Sequence, residues 1–430
     1  MKVRFVYARF QRHAEAHPEL LEHVPCNEYF GPPSLGIAYM AAVTPPEWEL
    51  DFRDDRLEDV GFEDEVDLVA ISCFTPSAMR AMEIADEFRA RGRKVVMGGI
   101  FPSAMPDVVG EHADAVVVGE GEGVWAQVLA DAASGELKPR YSCEDAFFDP
   151  SGLPLPRIDL YTEKEGGKFS PDDYPVQVTR GCPLKCVACA VPLSIGRKMR
   201  HMPADHVLGQ IDQLAARGKL ASFTEDTSFF PNAIRHFGAV LDRIIESGKE
   251  APVSYVGISM PMILATRASM MERLRKAGVK MFYLVGGFDP ITQNAFTGKD
   301  AQALQRATDV IAKCHDHGIE PYTSFLVGND QDDEGCFDRI LEFGNETGIR
   351  KSEFAIRTPY PGTPAWFELE AADRLLHQNW SLYNDANVVF QPAQMSPDRL
   401  LEGYLYLWRE FYRPRQDLLG LDHRQRTIQF

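Results

Sequence analysis

The sequence predicts an α/β protein: a Rossmann-like, doubly wound parallel sheet, then a partial (β/α)6 barrel, then a small helical C-terminal cap. Three observations predict it. Short apolar runs alternate with stretches of helical spacing along most of the chain. Those runs are continuous instead of alternating apolar with polar, as in parallel strands covered on both faces. A stretch at 144–175, with Pro150, Gly152, Pro154, Pro156, Gly166, Gly167 and Pro171, has the composition of a boundary. The expected division is 1–143, a linker at 144–175, a barrel at 176–365 and a helical region at 366–430.

In the first part, strands are expected at 3–7, 50–53, 66–72, 94–97 and 115–118, with helices at 35–43 and 78–91. The fourth strand runs into Gly98-Gly99 and the fifth into Gly119-Glu120-Gly121-Glu122. In doubly wound sheets a ligand sits outside the carboxyl ends of the strands, which is where these glycines lie. In the second part strands are expected at 176–179, 222–225, 253–258, 281–285, 321–327 and 353–357. The intervening helices are expected at 206–217, 232–247, 269–277, 300–317 and 333–347. Six βα units in a row form a barrel or part of one, with its chemistry at the strand C-terminal ends. The end of the chain is rich in aromatics (Trp380, Tyr383, Phe390, Tyr404, Tyr406, Trp408, Phe411, Tyr412), which read either as ordinary core or as an apolar lid.

The 430 residues carry a net charge of −18, which disfavours a polyanionic partner and so a nucleic acid. No stretch reaches the ~20 uninterrupted apolar residues of a spanning helix, and residues 1–7 read as a strand, not a leader. The expectation is a cytoplasmic protein. Of eight cysteines, three fall at Cys182, Cys186 and Cys189, and Cys26, Cys73, Cys143, Cys314 and Cys336 are scattered. That distribution suggests a metal site plus buried thiols, not a disulfide framework.

The segment Gly181-Cys182-Pro-Leu-Lys-Cys186-Val-Ala-Cys189 follows the first expected barrel strand. Two sites are compatible with it. One is a structural zinc completed by a fourth ligand such as His201, although such sites are usually paired C-x2-C or Cys/His units. The other is an iron–sulfur cluster, for which three thiolates leave one iron open to a ligand.

The loop, its entry Val178-Thr179-Arg180-Gly181-Cys182-Pro183 and the barrel that follows resemble the radical S-adenosylmethionine (SAM) superfamily. The resemblance implies a [4Fe–4S] cluster on Cys182, Cys186 and Cys189, and SAM bound at the open iron. It further implies reductive cleavage of SAM to a 5′-deoxyadenosyl radical and an external electron donor such as flavodoxin or ferredoxin. The position before the third cysteine is commonly aromatic in that superfamily; here it is Ala188. Thr224-Glu225-Asp226-Thr227 resembles the acidic position that holds the SAM amino group, and reads equally as a helix cap. Gly286-Gly287-Phe288-Asp289 resembles the Gly-x-x-Glu-Ser-type segment, with Asp289 in the acidic place. Ser324 resembles a SAM ribose or carboxylate contact. Arg357 stands at the rim, as a carboxylate clamp or as part of a surface ion pair. Pro359-Tyr360-Pro361-Gly362-Thr363-Pro364 resembles the "PYPGTP" segment of one branch.

In the first part, residues 66–80, 95–106 and 113–125 resemble the cobalamin-binding domain of B12-dependent radical SAM enzymes. Ser72, Thr75, Gly98, Gly99, Gly119, Glu120 and Gly121 would then border the cobalamin. No Asp-x-His-x-x-Gly is present. Where many relatives carry Gly-Gly-x-His-Pro, this chain has Phe101, expected to pack against the lower corrin face.

The combined expectation is a cobalamin-dependent radical SAM methyltransferase acting on an unactivated carbon of a small-molecule or tetrapyrrole-like substrate. The cofactors carry the hard steps, and no acid/base pair is evident, so no catalytic side chain is assigned. Three rivals stand beside it: cyclisation, hydroxylation or rearrangement with the same cofactors; a non-catalytic cobalamin or Fe–S module; and a tRNA methylthiotransferase. The acidic charge and the lack of three further cysteines in the first part weigh against the last.

Overall fold

A computed structural model of the chain describes residues 1–26, 30–143, 148–224, 226–249, 252–287 and 289–422. The first sheet contains β1 (Lys2–Tyr7), β2 (Glu49–Asp54), β3 (Leu68–Ser72), β4 (Lys94–Gly98), β5 (Ala115–Val118) and β6 (Arg140–Ser142). Its order is β2-β1-β3-β4-β5-β6, and every pairing is parallel. Both faces are covered, as the unbroken apolar strands require. Val69, Ile71, Val95 and Met97 pack on the helix Ala78–Ala90 through Ile84 and Phe88. Leu68, Ala70, Val96 and Val117 face the other way, into a core with Tyr39 and Trp125. The order reverses between β1 and β3, which opens a crevice at their carboxyl ends, where Tyr7 pairs in register with Ser72. Strand β6 was not anticipated; its sequence, Arg-Tyr-Ser, buries only the tyrosine at the sheet edge.

The second sheet contains β7 (Asp173–Pro175), β10 (Leu220–Phe223), β11 (Val253–Ser259), β12 (Met281–Val285), β13 (Glu320–Val327) and β14 (Lys351–Ile356). Its order is β14-β13-β12-β11-β10-β7, all parallel, with the ends unpaired, so the barrel is partial. The expected strand at 176–179 is displaced. The sheet strand lies earlier, at Asp173–Pro175, within the expected linker, and the Val176 N–H still donates to the Ser222 carbonyl at 2.9 Å. Further on, β8 (Thr179–Arg180) pairs antiparallel with β9 (Arg200–His201) in a separate ribbon. The physical reason is local: the ribbon ties together the two ends of the cysteine loop, so the chain leaves the barrel wall before that loop begins.

Side chains on the barrel strands alternate. Phe325 and Phe354 point outward and stack at 5.9 Å, with Phe354 edge-on to Trp408 and Phe411. Tyr283, Tyr322 and Glu353 point the other way, into the concavity, where the two phenols hydrogen-bond the carboxyl.

The chain ends in the helices Pro364–Ala371 and Pro397–Tyr412. The second of these packs on β14, whose Ser352 N–H donates to the Tyr412 hydroxyl at 2.8 Å. Residues 384–416, which include this helix, also reach positions 11–23. The Tyr404 hydroxyl meets the His13 ring at 3.0 Å, Asn384 donates to the Gln11 carbonyl at 3.1 Å, and Gln416 donates to the His23 carbonyl at 3.1 Å. Trp380, Tyr383, Phe390, Tyr404, Trp408, Phe411 and Tyr412 are buried. These aromatics are core, not a lid.

Candidate active site

The cysteine loop starts at Gly181, whose φ of +86° lies in the left-handed region and whose added Cβ would sit 2.1 Å from the Lys198 carbonyl oxygen. Only glycine fits there. The loop closes through Cys182 N–H to the Gly196 carbonyl at 3.1 Å, and the Val187 carbonyl accepts from Ala365 N–H at 2.9 Å. That second bond brings the Pro361-Gly362-Thr363-Pro364 turn against the cysteines. Behind it the Tyr360 hydroxyl donates to the Asp385 carboxyl, 2.9 Å from both oxygens. Cys182, Cys186 and Cys189 all keep part of their surface accessible, whereas Cys26, Cys73, Cys314 and Cys336 are buried.

Among the described residues no three His, Cys, Asp or Glu side chains gather closely enough to share one metal ion. His201, the proposed fourth zinc ligand, instead lies against His236, with ring centroids 5.0 Å apart.

A cavity of about 500 Å3 lies between the two sheets. Tyr7, Ser72, Gly98, Gly99 and Gly119 line it from the carboxyl ends of β1, β3, β4 and β5, and Glu120, Gly121 and Glu122 continue the wall. Gln177, Arg180, Val191, Ser194, Ile195 and Thr224, which flank the cysteine loop and β10, line the other side. Gly119, at φ +83°, has as its nearest prospective Cβ neighbour the Ser194 carbonyl oxygen at 3.9 Å, so a side chain there would project into the cavity. Gly99 is required for another reason: at φ +112° its Cβ would meet the Cys73 carbonyl oxygen at 2.6 Å.

Two expected residues lie elsewhere. Phe101 is fully buried on the opposite side, packed on Trp380 at 5.7 Å, and Ile100 lines the cavity in its place. Both belong to the helix Ile100–Ala104, in which adjacent side chains diverge by about 100°. Thr75 is likewise buried, and its neighbour Phe74 lines the cavity. Burial pushes the Cys73 thiol well above its ordinary range, so it keeps its proton.

Sequence reasoning missed the ionic network across this cavity. The Arg180 guanidinium donates to Glu122 at 2.8 Å and to Glu120 at 3.4 Å, and Arg200 donates to the other Glu120 oxygen at 2.5 Å. All four side chains are at least nine-tenths buried. Burial weakens the Arg180 charge, but Glu122 and Glu120 more than restore it and hold the guanidinium protonated. Glu120 is therefore committed to the two arginines. Arg180 belongs to the segment already singled out as the loop entry; its partners are 58 and 60 residues away, and no local spacing announces them.

At the barrel rim, an added Cβ on Gly286 would lie 1.8 Å from the Ser324 carbonyl oxygen, and one on Gly287 (φ +82°) would lie 2.4 Å from Leu326. The two glycines let β12 pass close to β13. Asp289 caps the helix Pro290–Asn294: one oxygen accepts from the Ile291 and Thr292 N–H groups at 2.9 and 3.2 Å, the other from the Thr292 hydroxyl at 2.8 Å. Burial still raises its carboxyl above the usual range. Ser324 hydrogen-bonds Glu353 inside the barrel. Arg357 pairs with Asp330 at 3.4 Å, and Asp330 also accepts from Arg374 at 2.8 Å. Ala188 is buried in the cysteine loop. Glu225 lies outside the described residues. Glu353, which burial holds above the ordinary carboxyl range, is a charged residue at an inward strand position. That position was its only signal in the sequence.

Comparison with known proteins matches residues 176–344 to the radical SAM superfamily and residues 31–129 to the B12 binding domain. The chain is a B12-binding radical SAM enzyme. It is 27% identical over 404 residues to the bacteriochlorophyllide d C-8(2)-methyltransferase of Chlorobaculum tepidum, covering 89% of this chain and 88% of that one. It is 27% identical over 388 residues to the C-12(1)-methyltransferase of the same organism, covering 88% and 82%. A solved radical SAM methyltransferase, TsrM from Kitasatospora setae, shares the fold: TM-score 0.65 at 17% identity, over 95% of this chain and 83% of that one.

The residues of this B12-binding radical SAM enzyme fit the cofactors its two domains imply. Three partly accessible thiols stand on one glycine-hinged loop. The cavity beside them has a glycine-bordered floor and walls that are mostly apolar, as small-molecule sites are. No helix among the described residues is long and apolar enough to cross a membrane.

Proposed function

We propose that this enzyme methylates an unactivated carbon of a small, tetrapyrrole-like molecule, using SAM and cobalamin. The carrying observation is the single cavity whose one wall is the glycine shelf of the first sheet and whose other wall flanks the cysteine loop. Two reactive groups held there would face each other without intervening protein. When bound, the cofactors supply a 5′-deoxyadenosyl radical and a transferable methyl group. The chain's own residues bind, orient and exclude water. Cys182, Cys186 and Cys189 would hold the cluster. Gly286, Gly287, Ser324 and Arg357, at the carboxyl ends of β12, β13 and β14 and outside the lining of this cavity, would serve SAM as the resemblance implies, and Ser72, Gly98, Gly99, Gly119 and Gly121 would border the corrin. Glu120 positions Arg180 and Arg200, and Asp289 fixes its helix. An external one-electron carrier, of the flavodoxin or ferredoxin kind, would supply the electron that the cluster needs. The similarity to bacteriochlorophyllide methyltransferases over almost the full chain supports carbon methylation above cyclisation or hydroxylation.

The test is anaerobic reconstitution with iron, sulfide and hydroxocobalamin, followed by desalting and metal analysis, with the Cys182→Ala/Cys186→Ala/Cys189→Ala variant as control. The expected result is about four irons, as one cubane requires, with one cobalt per chain and iron lost in the control. Tetrapyrroles are then screened for a methylated product. Iron without cobalt removes methyl transfer from cobalamin, and zinc in place of iron removes the radical reading altogether.

A further inference from the structure

Two histidines outside the cavity carry an unmet demand for a ligand. His201 ends the ribbon strand β9, opposite Thr179 of β8, and His236 stands in the first turn of the helix Ile234–Glu246. Their ring centroids are 5.0 Å apart and their planes are inclined by 40°, neither stacked nor edge-on. His201 Nδ1 and His236 Nε2 are both shut off from solvent, and neither has a hydrogen-bond partner among the described residues. A buried polar atom left unpaired is costly and rare in folded proteins. Other histidines of the chain meet the demand. His17 Nε2 lies 2.7 Å from the Ala386 carbonyl, His13 Nδ1 3.0 Å from the Tyr404 hydroxyl, and His206 Nδ1 3.1 Å from the Gln210 amide. A third unpaired atom, the Oγ of the fully buried Ser228, follows Thr227, whose hydroxyl bonds that of Thr179 at 2.6 Å.

The spacing of the two rings fits a shared metal ion. Two imidazoles on one tetrahedral zinc, at Zn–N distances of about 2.0–2.1 Å, place their ring centroids about 5 Å apart. Burial, and after it the neighbouring His236, lowers the His201 pKa and keeps that ring neutral, which is the form that binds metal. Imidazole nitrogen suits zinc, copper or nickel, whereas magnesium and calcium take oxygen ligands. Both residues keep part of their surface accessible, so an ion has a way in. Two protein ligands leave the other positions to water, which makes the ion exchangeable instead of caged.

We propose that His201 and His236 form a two-imidazole site for a divalent ion of the zinc class, separate from the three cysteines. The ion fastens the far end of the cysteine loop to the barrel. His201 belongs to the ribbon that closes that loop, and its neighbour Arg200 bonds the Ile195 carbonyl within the loop and Glu120 across the cavity. His236 belongs to the helix that follows β10 in the barrel. An ion between them adds a strong bond where the ribbon and the helix otherwise meet through unpaired nitrogens.

The full-length, cluster-loaded enzyme is dialysed against Zn2+ and its metals are measured. The expected result is one zinc per chain with iron unchanged. His201→Gln and His236→Gln should each weaken zinc binding by about tenfold or more. His206→Gln, which alters a histidine already partnered, should keep the zinc, and so should Cys182→Ala/Cys186→Ala/Cys189→Ala. Thermal unfolding supplies a second readout. Zinc should raise the midpoint of the parent and of the cysteine variant, and leave the two histidine variants where they stand without it. The cysteine variant retains both histidines, so its zinc-dependent shift decides the matter even where a histidine variant does not fold. A parent that binds no zinc overturns the proposal, as does zinc that is lost with the cysteines or retained at full affinity in both histidine variants.

Discussion

Glu122 and Arg180 meet at 2.8 Å across the gap between the two sheets, both almost fully buried. The carboxylate comes from the loop after β5, and the guanidinium lies two residues before Cys182. Cutting one partner leaves a desolvated charge behind, which costs about 3–5 kcal/mol, whereas removing both as similar-sized apolar groups costs much less. Glu122→Leu and Arg180→Met should therefore each lower stability strongly. The double variant should fall well short of their sum, by a coupling of at least about 1 kcal/mol. Urea unfolding of the metal-free chain measures all four corners; simple additivity would show that the pair does not act as a unit.

Gly181 is held at φ +86° with the Lys198 carbonyl in the space of a Cβ. Gly181→Ala should cost more than the roughly 1 kcal/mol of an ordinary Gly-to-Ala conformational penalty, because backbone has to move. The displacement falls on the loop entry, so reconstituted iron per chain should drop by at least half while the circular dichroism of the sheets persists. Full iron content in this variant contradicts the account of the loop given above.

Ser72 lines the cavity from the carboxyl end of β3, where it pairs in register with Tyr7 and Gly98. Ser72→Phe should fill the shelf and reduce retained cobalt about tenfold or more, with iron unchanged. Trp125, on the same cavity wall, offers an independent readout through its fluorescence. Quenching by hydroxocobalamin should saturate in the parent and vanish in the variant.

Asp332 accepts from the Gly328 and Asn329 N–H groups, at 2.9 and 2.8 Å, yet burial raises its carboxyl from 3.8 to about 6. Between those values the folded chain holds a proton that the unfolded chain has released. This contribution is complete below about 4 and is lost as pH rises through about 6. Asp332→Asn removes it, so the stability difference, variant minus parent, should grow in the variant's favour from pH 4 to 7 by on the order of 2–3 kcal/mol. Urea midpoints across that range decide it, and a pH-independent difference rejects the assignment.

The elements whose apolar residues announce them could be read from the sequence. The expected strand at 115–118 coincides with β5, and that at 281–285 with β12, since both are short runs bounded by turn residues. The strand at 176–179 was misplaced because Val176 keeps one bond to β10, through Ser222, while Val178 bonds Met202 beside the separate ribbon; both are apolar because they are buried in the core. At the site, the glycines that line the cavity were legible as the carboxyl ends of β4 and β5. Phe101 was not, because a helix begins at Ile100 and turns it away. Glu122, Arg200, Tyr360 and Asp385 were illegible in principle: their partners are distant in sequence, and pairing over such distances leaves no local pattern.

The bonds between Tyr404 and His13 and between Gln416 and His23 join positions 391 and 393 residues apart. A chain emerging from the ribosome makes the first of these segments some 390 residues before the second. Residues 11 to 23 must therefore wait through most of synthesis without their final neighbours, while the strands on either side of them can already pair. The two ends then close on each other like a clasp. Because contacts over such separations are the slowest to form, this closure is expected to be the last event of folding, and a truncation after about residue 400 should leave both sheets formed but the start of the chain open to protease.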